Sequence, residues 1–87
     1  MTTDERIQRG ERARMLMQDP LLSEVMDSIE KRYMEELLRV SSWRPFSDAK
    51  RRALIDRVNA VRELRSALES EMALGRQAAD VQTYRVA

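Results

Sequence analysis

The chain contains no cysteine and no histidine. The first absence excludes disulfides, thiolate zinc sites and cysteine nucleophiles; the second removes the commonest general base and metal ligand. Gly10 and Gly75 are the only glycines, too few for a loop that cradles phosphates through backbone amides. Pro20 and Pro45 are the only prolines, and no Gly/Ser linker, low-complexity tract or repeat on the order of 20–50 residues interrupts the pattern. Four aromatic residues can furnish only a thin core, and chains this short bury about 60–65% of their unfolded surface. Uncharged runs such as Val40 to Trp43 fall far short of the roughly 20 apolar residues of a membrane span. The start, Met1-Thr2-Thr3-Asp4-Glu5, lacks the basic-then-apolar order of a secretory signal, so synthesis in the cytoplasm is expected.

What is present is 43% hydrophobic and 36% charged residues in 87, a balance that favours folding but not a core of several layers. Residues 1–87 are expected to form a single helical domain, completed by assembly with other chains. The net charge is +1, yet residues 19–36 carry six acids and two bases while residues 44–65 carry seven bases and three acids. The two segments attract each other. Fourteen of the sixteen basic residues are arginine, as either a GC-rich genome or a use for bidentate contacts would produce.

Three helices follow from the apolar spacing and the breakers. The first is expected over residues 4–17, where Ile7, Ala13, Leu16 and Met17 form a weak stripe and Gly10 costs up to about 1 kcal/mol relative to Ala. The second is expected over 20–40: Asp19 can cap it and Pro20 suits the first helical position. Leu22, Met26, Ile29, Tyr33, Leu37 and Val40 make its main stripe, and Met34 with Leu38 makes a second, smaller patch. The segment Ser41-Ser42-Trp43-Arg44-Pro45-Phe46 breaks the pattern, with Ser47 and Asp48 as cap and first-turn acid of a third helix over 48–74. Gly75 reads as its left-handed stop, leaving residues 76–87, including Tyr84, as an extended tail able to dock as a strand.

The expected fold class is therefore all-α: a long antiparallel helical hairpin with a short N-terminal helix and an extended C-terminal tail. The third helix bears Leu54, Val58, Val61, Leu68 and Met72 on its main stripe, with Ala53, Ala60 and Ala67 every seven residues beside it and Leu64 between. One partner helix cannot cover so broad a face, and small residues at heptad spacing admit a close neighbour. Helix one or a second copy of the chain is implied.

Acid pairs such as Glu35-Glu36 and Asp27 with Glu30 have the spacing of bundle metal sites but lack the histidine those sites use, so they read as solvated faces. The basic run Lys50-Arg51-Arg52, extended by Arg44, Arg57, Arg62 and Arg65, is the one feature suited to phosphate binding. Its natural neighbour, though, is the acidic second helix. Arg65 and Glu36 fall near apolar stripes, where charged side chains snorkel at a groove edge or form a pair reserved for a partner. Trp43, Arg44 and Phe46 either close the hairpin end or anchor a partner. The methionines read mostly as core filling.

With Arg9-Gly10, Ala13, Leu16, Asp19-Pro20-Leu21, Ile29 and Tyr33, then a Trp-containing loop and a long helix ending near Gly75, residues 7–76 resemble small helical proteins of tailed bacteriophages and prophages encoded among head and packaging genes. The resemblance implies a virion or assembly role beside capsid, portal or connector proteins, and a location in the virion or, before assembly, in the host cytoplasm.

Sequence and resemblance together lead to the expectation of a non-enzymatic structural or assembly protein without a cofactor or metal, working as a homo- or hetero-oligomer. Its protein-binding residues would be Met34, Leu38, Trp43, Arg44, Phe46, Ala53, Ala60, Ala67 and Tyr84. Two alternatives stay open: a DNA-packaging subunit using Lys50, Arg51 and Arg52, and a phage-encoded inhibitor of a host protein.

Overall fold

The structure, a computed structural model, describes residues 1–40 and 47–86. It comprises three helices, α1 (Thr3–Gln18), α2 (Pro20–Arg39) and α3 (Ser47–Val86), with no strand among the described residues.

The chain ends its helices where polar side chains satisfy free backbone groups. At the start of α1, Thr2 and Glu5 form a capping box: the Glu5 N–H donates to Thr2 Oγ1 at 3.2 Å and the Thr2 N–H donates to the Glu5 carboxylate at 3.3 Å. Asp19 serves two helices at once. Its own N–H donates to the Leu16 carbonyl at 3.2 Å, closing α1, while Asp19 Oδ1 accepts the N–H groups of Leu21 and Leu22 at 2.9 and 3.2 Å, opening α2. Pro20 follows as the first residue of α2, where its missing N–H is no loss.

Two expectations are corrected here. The third helix does not stop before Gly75, and residues 76–86 are helical rather than an extended tail. Gly75 is a packing residue, not a stop. A Cβ added to it would lie 2.8 Å from the Gly10 Cα and 3.0 Å from the Arg6 carbonyl oxygen, and a Cβ on Gly10 would lie 2.8 Å from the Gly75 Cα and 3.0 Å from the Glu71 carbonyl oxygen. The two glycines of the sequence thus face each other where α1 meets α3, at a separation no larger residue tolerates. Beyond this contact the Gln82 amide donates to Asp4 at 3.4 Å, and Thr83 Oγ1 donates back to the Ala79 carbonyl at 2.9 Å. Helix α1 therefore accompanies the segment of α3 that was expected to be a tail.

The covered side of α3 follows a strict repeat. Ser47, Arg51, Leu54, Val58, Val61, Arg65, Leu68, Met72, Gly75 and Ala79 are buried or half-buried, and they succeed one another in alternating steps of four and three. That is the 3.5-residue period of a supercoiled seam. On α2 the same steps join Leu22, Met26, Ile29, Tyr33, Glu36 and Val40, and on α1 they join Ile7, Gly10, Arg14 and Met17. Between Met17 and Leu22 the step is five, because the extended Asp19 adds one residue at the junction.

Contacts between the elements fall in reversed chain order. Asp27 and Glu30 of α2 meet Arg65 and Arg62 of α3, and Val40 meets Arg51. Arg9, Gly10 and Asp4 of α1 meet Glu71, Gly75 and Gln82. Helix α3 packs against α1 more extensively than against α2. The molecule measures 64 × 23 × 17 Å, and 40 residues of helix rise about 60 Å, so α3 spans nearly its whole length. The core is thin: Ala13, Met26, Leu54 and Val58 are its buried apolar side chains among the described residues, with Leu54 most enclosed at 2% exposure.

Candidate protein interface

Ion pairs and helical spacing divide the surface into two flanks. The first contains Glu30, whose carboxylate accepts from Arg62 Nε at 2.8 Å and lies 3.4 Å from an Arg65 guanidinium nitrogen. Arg65 also pairs with Asp27. Met34 follows Glu30 at one helical turn and Ile55 precedes Arg62 by seven residues, so both share this flank, and Leu38, a turn beyond Met34, adjoins it toward the outer side of α2. Each is exposed, Leu38 to 83%.

The second flank lies on the other side of the covered seam. Arg32 and Arg57 both stand over the Tyr33 ring, 5.3 and 5.6 Å from its centroid, and Arg9 pairs with Glu71 at 3.0 Å. From Arg57 a second repeat of alternating four and three steps runs along α3: Ala53, Arg57, Ala60, Leu64, Ala67, Glu71, Leu74, Ala78 and Val81. Leu64, Leu74 and Val81 are exposed large apolar residues, and Ala53, Ala60 and Ala67 are exposed as well. Val25 lies seven residues before Arg32, Leu21 a turn before that, and Leu16 seven after Arg9; all three are exposed on the same flank. Alanines 53, 60 and 67 with Leu64 were legible in the sequence. Leu74, inside the expected helix, was not joined to them, and their continuation through Ala78 and Val81 was missed because a helix ended at Gly75 breaks the repeat.

The remaining sequence candidates have varied fates. Trp43, Arg44 and Phe46 lie outside the described residues. Tyr84 is 87% exposed, on helix rather than on an extended strand. The basic run divides: Lys50 and Arg52 are exposed, whereas Arg51 is half-buried and its guanidinium reaches the Val40 carbonyl at 3.5 Å. Arg57, Arg62 and Arg65 are engaged by Tyr33, Glu30 and Asp27. Much of the expected basic face is thus used within the chain.

The acids offer little chemistry of their own. Asp27 and Glu30 are held by arginines, and among the described residues no three His, Cys, Asp or Glu side chains converge as a metal ion needs. The Glu11 carboxyl is held below its ordinary range by the hydrogen-bonded Arg14 guanidinium, an exposed contact within one turn of α1. Shallow grooves run between the helices, one lined by Met1, Arg12, Leu16, Leu68 and Glu71 and another by Met17, Leu22, Met26 and Arg65. No helix among the described residues is long and apolar enough to cross a membrane. Compared with known proteins, the chain matches no family model, no curated protein and no solved structure.

Proposed function

We propose that the chain is a non-enzymatic structural or assembly protein of phage type, a long antiparallel helical hairpin that docks on other virion proteins such as a capsid, portal or connector. The observation that carries the reading is the distribution of apolar surface. Among the described residues twelve large hydrophobic side chains are exposed and four apolar side chains are buried. A chain that leaves so many large apolar side chains exposed is suited to being covered by partners. Reversed contact order along α3 supports the hairpin, with one arm made of α1 and α2 in succession and broken at Asp19-Pro20. The virion as the place of action rests on the sequence resemblance.

The Met34, Leu38 and Ile55 flank is the proposed docking surface for the virion partner. It is apolar and bordered at one end by the Glu30, Arg62, Asp27 and Arg65 network, as apolar patches with polar edges are in protein interfaces. Gradient sedimentation of the phage particles tests this. Wild-type chain is expected to travel with particles in fixed stoichiometry, and Leu38→Lys, which changes an 83% exposed residue, is expected to leave the fold intact and remove the chain from the particle fraction. Wild-type chain found only as free protein contradicts the assignment.

A further inference from the structure

The second flank asks for a different occupant, and its charges say which. We infer that the part of this repeat centred on Leu64, from Ala53 to Leu74, is covered by α3 of a second copy of this chain, running antiparallel about a two-fold axis near Leu64. Alternating four and three steps over this distance fit another helix of matching supercoil, not a loop or a strand. Two of the nine positions of the repeat are charged, Arg57 and Glu71, and they stand seven residues on either side of Leu64. An antiparallel copy centred near Leu64 brings Arg57 of each chain within a turn of Glu71 of the other, twice over. A parallel copy would set Arg57 beside Arg57 and Glu71 beside Glu71. An unrelated helix would have no cause to mirror this spacing.

Size and shape agree with that occupant. Around the axis Leu64 stands between Ala60 and Ala67, so a large side chain from one copy meets small ones from the other. Leu16, Leu21 and Val25 lie on the same flank, which makes the paired face two helices wide. A face roughly 20 Å wide and 33 Å long presents about 660 Å², within the roughly 600–1,000 Å² each partner contributes to a specific interface. The Met34 and Leu38 flank stays free in this dimer. The inference rests on the reading of exposed apolar flanks as interfaces, but it concerns a different flank, and the two are tested separately.

Sedimentation equilibrium on the full chain and two single variants provides the test. Wild-type chain is expected to reach twice its 10.2 kDa mass at micromolar concentrations. Arg57→Glu alone and Glu71→Arg alone place like charges together and are each expected to weaken the dimer about tenfold or more. An equimolar mixture of the two is expected to restore it, since each copy then supplies what the other lacks. Lost contacts within a chain, Glu71 to Arg9 or Arg57 to Tyr33, cannot be repaired by mixing. The absence of native cysteine allows a second readout that does not depend on charge. Leu64→Cys is expected to cross-link readily to itself and Ala53→Cys not, because antiparallel copies of residue 53 lie about 33 Å apart. A monomeric wild-type chain, a mixture no tighter than its components, or equal cross-linking at 53 and 64 overturns the proposal. A monomer that still travels with particles would do so while leaving the functional reading in place.

Discussion

At Gly10 and Gly75 two physical effects pull in opposite directions. Replacing a mid-helix glycine by alanine gains about 1 kcal/mol of helix propensity. Here the added methyl group would lie 2.8 Å from an opposing backbone atom, and neither helix can yield without separating along its length. Overpacking of this kind costs typically about 1–3 kcal/mol, so Gly10→Ala and Gly75→Ala are each expected to lower stability in urea denaturation, against the sign propensity alone requires. The pair should also be non-additive, because helices already forced apart by one methyl group admit the second more cheaply. Stabilisation by either substitution would show that the helices do not meet there. Asp19→Ala removes the side-chain acceptor for two α2 amides and is expected to cost about 1 kcal/mol by the same measurement. Asp19 and Pro20 were legible from sequence because capping is a local property of adjacent residues. The role of Gly75 was not, since a glycine after an apolar stripe has the same local signature whether it ends a helix or admits a neighbour 65 residues away.

The ends of α1 and of α2 were legible to within a residue. On α3 the apolar spacing located the covered stripe from Leu54 to Met72, and what lay beyond depended on tertiary cover from α1. Helix α1 packs alongside as far as Gln82, which meets Asp4, and the mediocre helix formers Thr83 and Tyr84 continue α3 past that contact. Of the charged exceptions to the seam, Arg65 and Arg51 have partners across it, and Arg14 pairs with Glu11 within its own helix. Glu30 receives two arginines and Asp27 one. Half-exposed pairs of this sort are worth about 0–1 kcal/mol each, so Glu30→Ala is expected to destabilise more than Asp27→Ala, by a few tenths to about 1 kcal/mol in thermal unfolding. Equal effects would mean that Glu30 does not bridge both arginines. The basic start of α3 makes a related prediction. With Arg51 turned to the Val40 carbonyl, changing Lys50, Arg51 and Arg52 together to Ala is expected to leave duplex DNA affinity unaltered in fluorescence anisotropy. If the run bound phosphates, the variant would instead lose about 0.9 in salt slope per contact removed.

As a whole the molecule is a rod 64 Å long whose buried apolar side chains are few, and nine of the twelve large exposed ones among the described residues fall on one flank or the other. Composition foreshadowed a thin core. It could not show that the leftover surface divides in two, because the division depends on which way Arg62 and Arg57 turn from the covered seam, to Glu30 on one side and Tyr33 on the other. The central claim is that these flanks have different occupants: a second copy on the Leu64 side and a virion protein on the Leu38 side. Hydroxyl-radical footprinting tests it most directly, reading side-chain oxidation in the free protein and in purified particles. Leu64 and Leu74 are expected to be protected in both samples, beyond what their exposure in a single chain allows, while Met34 and Leu38 react in the free protein and are protected only in particles. Equal reactivity of the two flanks in the free protein, or no change at Met34 and Leu38 between samples, would contradict it.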